Sequence, residues 1–195
     1  MSLTLVVAPD LFGRTPVLEE LANLITADRT IILDPYEKLG YFTDRPSANA
    51  RFTALGGMDA YAKKIFDMLS DFPPWEGEKV LVGFSEGASA LWCLGEQLEE
   101  IDLCIGYYGR HIHNYPHIQP RFPMELIFPE SDPEIDVDSV MASLQGRENL
   151  ELKKEKGFHG FMNPHSYFWK PELVQSHLRY INERLASLSP ASQPH

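Results

Sequence analysis

The sequence is short of basic charge: 17 Lys and Arg face 28 Asp and Glu, a formal net charge of −11. No stripe gathers those few cations. The electrostatic footprint of a phosphate-backbone binder is therefore missing, and neither nucleic acid nor an anionic membrane surface is an expected partner. Cysteine is scarce too. Only Cys93 and Cys104 occur, both inside apolar segments, with neither a disulfide framework nor metal-ligand spacing. They read as buried free thiols of a reducing compartment. Long hydrophobic runs are also absent. A stretch such as Leu5-Val6-Val7-Ala8 is strand-sized, far below the ~20 residues that a bilayer crossing needs. The first residues lack a basic region, and Pro9-Asp10 cuts the apolar run short, so a secretory signal is not expected. Together these absences point to a cytoplasmic protein with no membrane span.

What is present is enough for one core. With 195 residues, 44% of them hydrophobic, the chain is expected to form a single domain over residues 1–187. The segment from Ser187 (SLSPASQPH) reads as a frayed end, giving a flexible tail over 188–195. Short apolar runs alternate with helix-period stretches. Leu3–Ala8, Thr30–Leu33, Lys79–Val82, Asp102–Tyr108, Met124–Phe128 and, more weakly, Asn149–Lys154 read as strands. Thr15-Pro16 looks like a helix cap followed by proline, opening a face of Val17, Leu18, Leu21, Leu24 and Ile25. Further helices carry Tyr61, Ile65, Met68 and Leu69, then Ala88, Leu91, Leu94 and Leu98, then Val137 to Leu144. The last bears Leu173, Val174, His177, Leu178, Ile181 and Leu185. Asp34–Gly57 reads as a long loop. Strand–helix alternation with doubly apolar strands predicts a three-layer α/β architecture, about six mostly parallel strands with helices on both faces. Ligands then bind beyond the carboxyl ends of the strands.

One of those strand ends carries Gly83-Phe84-Ser85-Glu86-Gly87, a G-x-S-x-G. Such a strand must turn abruptly into a helix, straining the central residue and bringing neighbouring chain close, which glycine on either side permits. The serine hydroxyl is thereby exposed at a helix N-terminus, where developing negative charge is favoured. A serine nucleophile needs a base, and the base an orienting acid. Downstream strand ends offer Pro129-Glu130-Ser131-Asp132-Pro133, then Gly157-Phe158-His159-Gly160-Phe161. Glu130 competes with Asp132 for the acid, and His165 with His159 for the base. Asp136 and Asp138 open a helix, where negative charge is at home.

These pieces resemble the dienelactone hydrolase family of α/β-hydrolases. The matching segments are Val6–Gly13 (VVAPDLFG), Gly83–Gly87, Phe128–Asp132 (FPESD) and His159–Pro164 (HGFMNP), spread from about residue 3 to residue 186. The resemblance implies a compact α/β-hydrolase fold without a cap domain and without the family's leading antiparallel strands. It implies Ser85 as nucleophile, His159 as general base and Asp132 as its orienting carboxylate. The backbone amides of Leu11 and Glu86 would form the oxyanion hole, and Asp10 falls where the family places a glutamate touching the nucleophile. Two departures stand out: serine replaces the family's cysteine, and Asn163 stands where an arginine holds the substrate carboxylate.

The expected activity is therefore cleavage of a small carboxylic ester through an acyl-enzyme, with no cofactor and no metal. A thioesterase or peptidase with the same residues, or a non-catalytic binding protein on this fold, are the alternatives. Asp10, Phe12, Arg45 and Asn163 are candidates for the substrate pocket. Arg45 or Arg51 would have to line the cleft for an anionic substrate to overcome the net charge. His111, His113 and His117 could line the pocket, contact substrate or, at their i, i+2, i+6 spacing, hold zinc without an acidic or cysteine partner. Nothing in the sequence sets an oligomeric state.

Overall fold

The computed structural model describes residues 2–36, 40–71 and 77–188. Six strands form one sheet in the order β2-β1-β3-β4-β5-β6, every neighbouring pair parallel. They are β1 (Leu3–Ala8), β2 (Arg29–Ile32), β3 (Glu78–Phe84), β4 (Leu103–Tyr107), β5 (Met124–Ser131) and β6 (Leu150–Phe158). Parallel strands require crossovers. These are supplied by α1 (Pro16–Asn23), α2 (Arg45–Ala54), α3 (Gly57–Ser70), α4 (Glu86–Cys93) and α5 (Val137–Leu144), with α6 (Pro171–Leu188) after the last strand.

Successive side chains on a strand point to opposite faces, and the core divides accordingly. Val6, Ala8, Leu81, Cys104, Leu126 and Phe128 face α2, α3, α4 and α5. Leu5, Val7, Val80, Val82, Ile105 and Ile127 face α1 and α6, where Leu21, Ile181 and Leu185 meet them. The four central strands are buried on both faces except at the end of β5, whereas the edge strands β2 and β6 are half covered. This explains why the apolar signal fades at Arg29–Ile32 and Leu150–Phe158. Thr15 caps α1 as expected, accepting from the Leu18 amide at 3.1 Å.

The structure corrects several boundaries. Residues Asp34–Gly57 are not all loop: α2 lies within them, capped by Asp44, which accepts from the Ser47 amide at 2.9 Å. Only Ala48 and Phe52 of this helix are buried, too thin an apolar stripe to read as a period. Leu24 is not on the buried face of α1; it is the C-cap and largely exposed. Helix α4 ends at Cys93, short of Leu98, which is buried from the turn that follows. Helix α6 runs through Ser187 to Leu188, one residue into the expected tail; residues 189–195 lie outside those described. No helix among the described residues is long and apolar enough to cross a membrane.

Strand β1 has β2 on one side and β3 on the other, so the chain reverses its direction of sheet growth between them. A crevice opens at such a switch point, beyond the carboxyl ends of the strands. The loop after β1 and the turn after β3 both deliver their residues there.

Candidate active site

Ser85 joins β3 to α4 with φ 48° and ψ −107°. A non-glycine residue there is strained by about 1–3 kcal/mol and persists only where its surroundings over-determine it. They do. The Ser85 amide donates to the Tyr107 carbonyl at 2.9 Å, and its own carbonyl accepts from the Ser89 amide at 2.9 Å and the Ser89 hydroxyl at 3.0 Å. The flanking glycines permit the close approach: a Cβ on Gly83 would lie 2.7 Å from the Ala88 nitrogen, and one on Gly87 2.0 Å from the Ala8 oxygen.

The Ser85 hydroxyl stands 2.8 Å from His159 Nε2. His159 follows β6 directly, and its Nδ1 lies 2.8 Å from Asp132 Oδ2, with the ring N–H bent away from the straight line. Tyr108, itself at φ 42°, packs its ring 5.1 Å from the imidazole. Asp132 sits just past β5, its side chain 1% exposed. Its Oδ1 accepts from the Glu134 amide at 2.9 Å, while Oδ2 also meets Arg110 Nε at 3.1 Å. Burial alone would raise the Asp132 carboxyl. The bond with His159, the Glu134 amide and the charges of His159 and Arg110 overrule it, holding the group well below the usual carboxylate range.

The loop after β1 forms the facing wall. Asp10 is half-buried there, accepting from the Phe12 amide at 2.9 Å and from Asn163 Nδ2 at 2.5 Å. Burial and then the charge of Glu86 push its carboxyl up to about 7, only partly offset by those two bonds. The Leu11 amide does not point into empty space: it donates to Glu86 Oε2 at 3.1 Å. A carboxylate therefore occupies one of the two amides assigned to an oxyanion.

Around these groups lies a cleft of about 290 Å³. Asp10, Leu11, Phe12, Arg45, Ser85, Glu86, His159 and Asn163 all line it, with Asp132 behind His159. Arg45, in the first turn of α2, pairs with Glu134 at 3.0 Å. Arg51 faces a separate depression beside Phe52 and Tyr61. His165 lines the cleft and stacks on Phe12 at 5.7 Å, while Glu130 is exposed on β5. His113 Nδ1 bonds the Arg110 carbonyl at 2.7 Å, and the described residues contain no group of three or more His, Cys, Asp or Glu placed to hold a metal. Cys104 is buried and Cys93 half-buried; burial pushes both thiols up, Cys93 to about 12.

Sequence reasoning missed Arg110, the side chain of Glu86 and Tyr108. Arg110 was visible only as one cation beside three histidines, and Tyr108 as the end of a strand. Glu86 drew attention for its amide alone.

No family model matches the chain. The uncharacterized protein YczH of Bacillus subtilis is 32% identical over 103 residues, 52% of this chain; the chain thus spans half the length of that relative. Among solved structures, a dienelactone hydrolase from Anabaena variabilis superposes with TM-score 0.64 at 16% identity, covering 96% of this chain and 86% of the other. A dienelactone hydrolase-like promiscuous phosphotriesterase from metagenomic libraries gives 0.67 at 16%, covering 94% and 85%. Mouse alpha/beta hydrolase domain-containing protein 10 gives 0.63 at 12%, covering 96% and 90%. Identities this low speak to architecture alone: the chain has the α/β-hydrolase fold, in the compact form that dienelactone hydrolase-like structures take.

Proposed function

We propose that this protein is a serine hydrolase of the dienelactone hydrolase-like family that cleaves small carboxylic esters through an acyl-enzyme. The observation that carries the reading is the approach of the Ser85 hydroxyl to His159 Nε2 at 2.8 Å, with His159 Nδ1 in turn 2.8 Å from Asp132 Oδ2. Nucleophile, base and orienting acid stand in hydrogen-bond reach on three strand ends of one cleft.

In this reading His159 takes the Ser85 proton as the oxygen attacks the ester carbonyl, and Asp132 stabilises the imidazolium that forms. His159 then protonates the departing alcohol, and water, activated by the same imidazole, releases the acid. The oxyanion is received by the amides of Glu86 and Leu11, each such donor contributing about 10²- to 10³-fold. Because Leu11 now donates to the Glu86 carboxylate, that side chain has to leave before the amide can receive a second negative charge. A cleft of about 290 Å³ favours a short acyl group. The net charge of −11, with Arg45 already paired to Glu134, favours a neutral substrate.

A fluorophosphonate probe tests this directly. Wild type is expected to be labelled covalently and Ser85→Ala not at all, with hydrolysis of a short p-nitrophenyl ester lost in Ser85→Ala and in His159→Ala. A folded wild type that takes no label would replace this reading with a non-catalytic binding protein on the same fold. Nearly full activity in His159→Ala would move the base to His165.

A further inference from the structure

We infer that Arg110 is a positioning residue of the site: it clamps Asp132 and, through its charge, sets how strongly Asp132 holds the His159 imidazolium. The inference rests on the hydrolase reading above. Arg110 opens the 3-10 helix Arg110–Asn114 after β4, and its side chain is 6% exposed, so its charge is felt with little screening. Its Nε lies 3.1 Å from Asp132 Oδ2, the same oxygen that meets His159 Nδ1 at 2.8 Å. Its Nη1 lies 2.5 Å from Glu134 Oε1, and the Glu134 amide holds the other Asp132 oxygen at 2.9 Å. The guanidinium fork thus grips the carboxylate and the turn that carries it.

The backbone of the 3-10 helix that carries Arg110 is tied to the nucleophile. The His111 amide donates to the Ser89 hydroxyl at 3.1 Å, and that hydroxyl donates to the Ser85 carbonyl at 3.0 Å. Contacts and one peptide link therefore close a ring from Ser85 through Ser89, His111, Arg110, Asp132 and His159 back to Ser85. A cation sharing an oxygen with the imidazole has two effects. It fixes the carboxylate, and it draws off part of the negative charge that would otherwise stabilise the imidazolium. The charged groups around His159 are Asp132 at its Nδ1, Asp10, Glu86 and the exposed Arg45 along the cleft, and Arg110 with its partner Glu134 behind Asp132; His165 lines the same cleft, and the neutral Tyr108 ring packs on the imidazole. Of these, Arg110 alone is both cationic and buried.

The test compares wild type with Arg110→Met, Arg110→Lys and Glu134→Gln. It reads the pH dependence of kcat/KM on a short p-nitrophenyl ester and, independently of turnover, the titration of the His159 ring by NMR. Two unit charges about 6 Å apart in an effective dielectric of about 40 shift a titration by about one pH unit. In Arg110→Met the acid limb and the ring midpoint are expected to rise by roughly 0.5–1 pH unit, with kcat down about 10-fold and KM within about twofold. Arg110→Lys keeps the charge and loses the fork, so its limb stays near wild type while kcat falls. Glu134→Gln removes a negative charge, so its limb and midpoint fall by a few tenths of a unit. If Arg110→Met does not fold, the other two variants decide. Limbs and midpoints unmoved in Arg110→Met and Glu134→Gln would overturn the inference. A wild type that turns over no ester would sink the hydrolase reading, and the ring titration would still decide whether Arg110 acts on His159.

Discussion

Replacing Gly87 by alanine tests whether contact between α4 and β1 builds the site. The added Cβ would lie 2.0 Å from the Ala8 oxygen, 2.5 Å from the Ala8 carbonyl carbon and 2.7 Å from the Pro9 oxygen. All three are backbone atoms, so no side chain can turn aside. Restoring an ordinary contact requires helix and strand to part by roughly 1–1.5 Å, against a packed interior that resists it. Overpacking costs about 1–3 kcal/mol, and a wholly backbone clash belongs at the top of that range. For a chain of this size about 3 kcal/mol lowers Tm by about 6–12 °C. The functional effect should exceed the stability effect. Ala8 leads through two residues to Leu11, and Gly87 is two residues from Ser85, so the parting separates the Leu11 and Glu86 amides that the proposed mechanism needs together. A misplacement of about 1 Å can cost roughly 10²-fold in rate. Calorimetry and ester hydrolysis below the lowered Tm would measure both. Gly146→Ala is the control: φ there is +76° but nothing lies within 4 Å of the new Cβ. It should cost about 1 kcal/mol in backbone strain and leave turnover within about twofold. A Gly87→Ala protein with Tm within 2–3 °C of wild type and undiminished turnover would refute the argument.

Asp10 makes a pH prediction. Its folded carboxyl titrates at about 7 against an ordinary 3.8, so between those values the native state binds the extra proton. Stability from this group is full below about pH 4, falls as pH rises to about 7 and is lost above, a displacement equivalent to at most about 4 kcal/mol. Asp10→Asn should therefore be about 2–4 kcal/mol more stable than wild type at pH 8 and indistinguishable near pH 4 by urea denaturation; equal stability at pH 8 would contradict it. Arg147 holds the carbonyls of Ile118 at 2.6 Å and Ser143 at 3.0 Å, reaches that of Pro116, and lies 5.9 Å over the Trp92 ring. Arg147→Ala should lose about 2 kcal/mol while probe labelling of Ser85 is retained. Arg45 and Glu134 are each 53% exposed in their pair, so Arg45→Ala should change stability by no more than about 0.5 kcal/mol, less still in 1 M salt.

How much of this was legible in the sequence follows from what each residue needs in order to be recognised. The central strands are buried on both faces, and a run such as Val80-Leu81-Val82 announces that by composition. Ser85 announces itself through flanking glycines, because backbone crowding leaves a local signature. Asp132 and His159 are marked by the strand ends that precede them. Helix α2 left no such trace, since only Ala48 and Phe52 are buried. Its cap, Asp44, was readable only to someone already looking for a helix. Arg110 and the Glu86 carboxylate are another matter: their partners lie 22 and 75 residues away, and a pairing at that distance has no period and no spacing. Glu130 and Asp132, two residues apart, differ in a property that only the fold sets: Glu130 is exposed on β5, whereas Asp132 is buried just past its end.

The all-parallel sheet also governs when the site can come into being during synthesis. Strands β1 and β3 can pair once the first half of the chain has emerged, carrying Leu11 and Ser85 into place. His159 waits for β6, an edge strand and the last among the described residues, which must dock along β5 from Met124 to Ser131 before His159 reaches Ser85. On the proposed reading, a nascent chain still tethered within that strand has Ser85 in place with nothing to take its proton. On that reading, strand order alone withholds the reactivity of Ser85 until β6 has docked along β5.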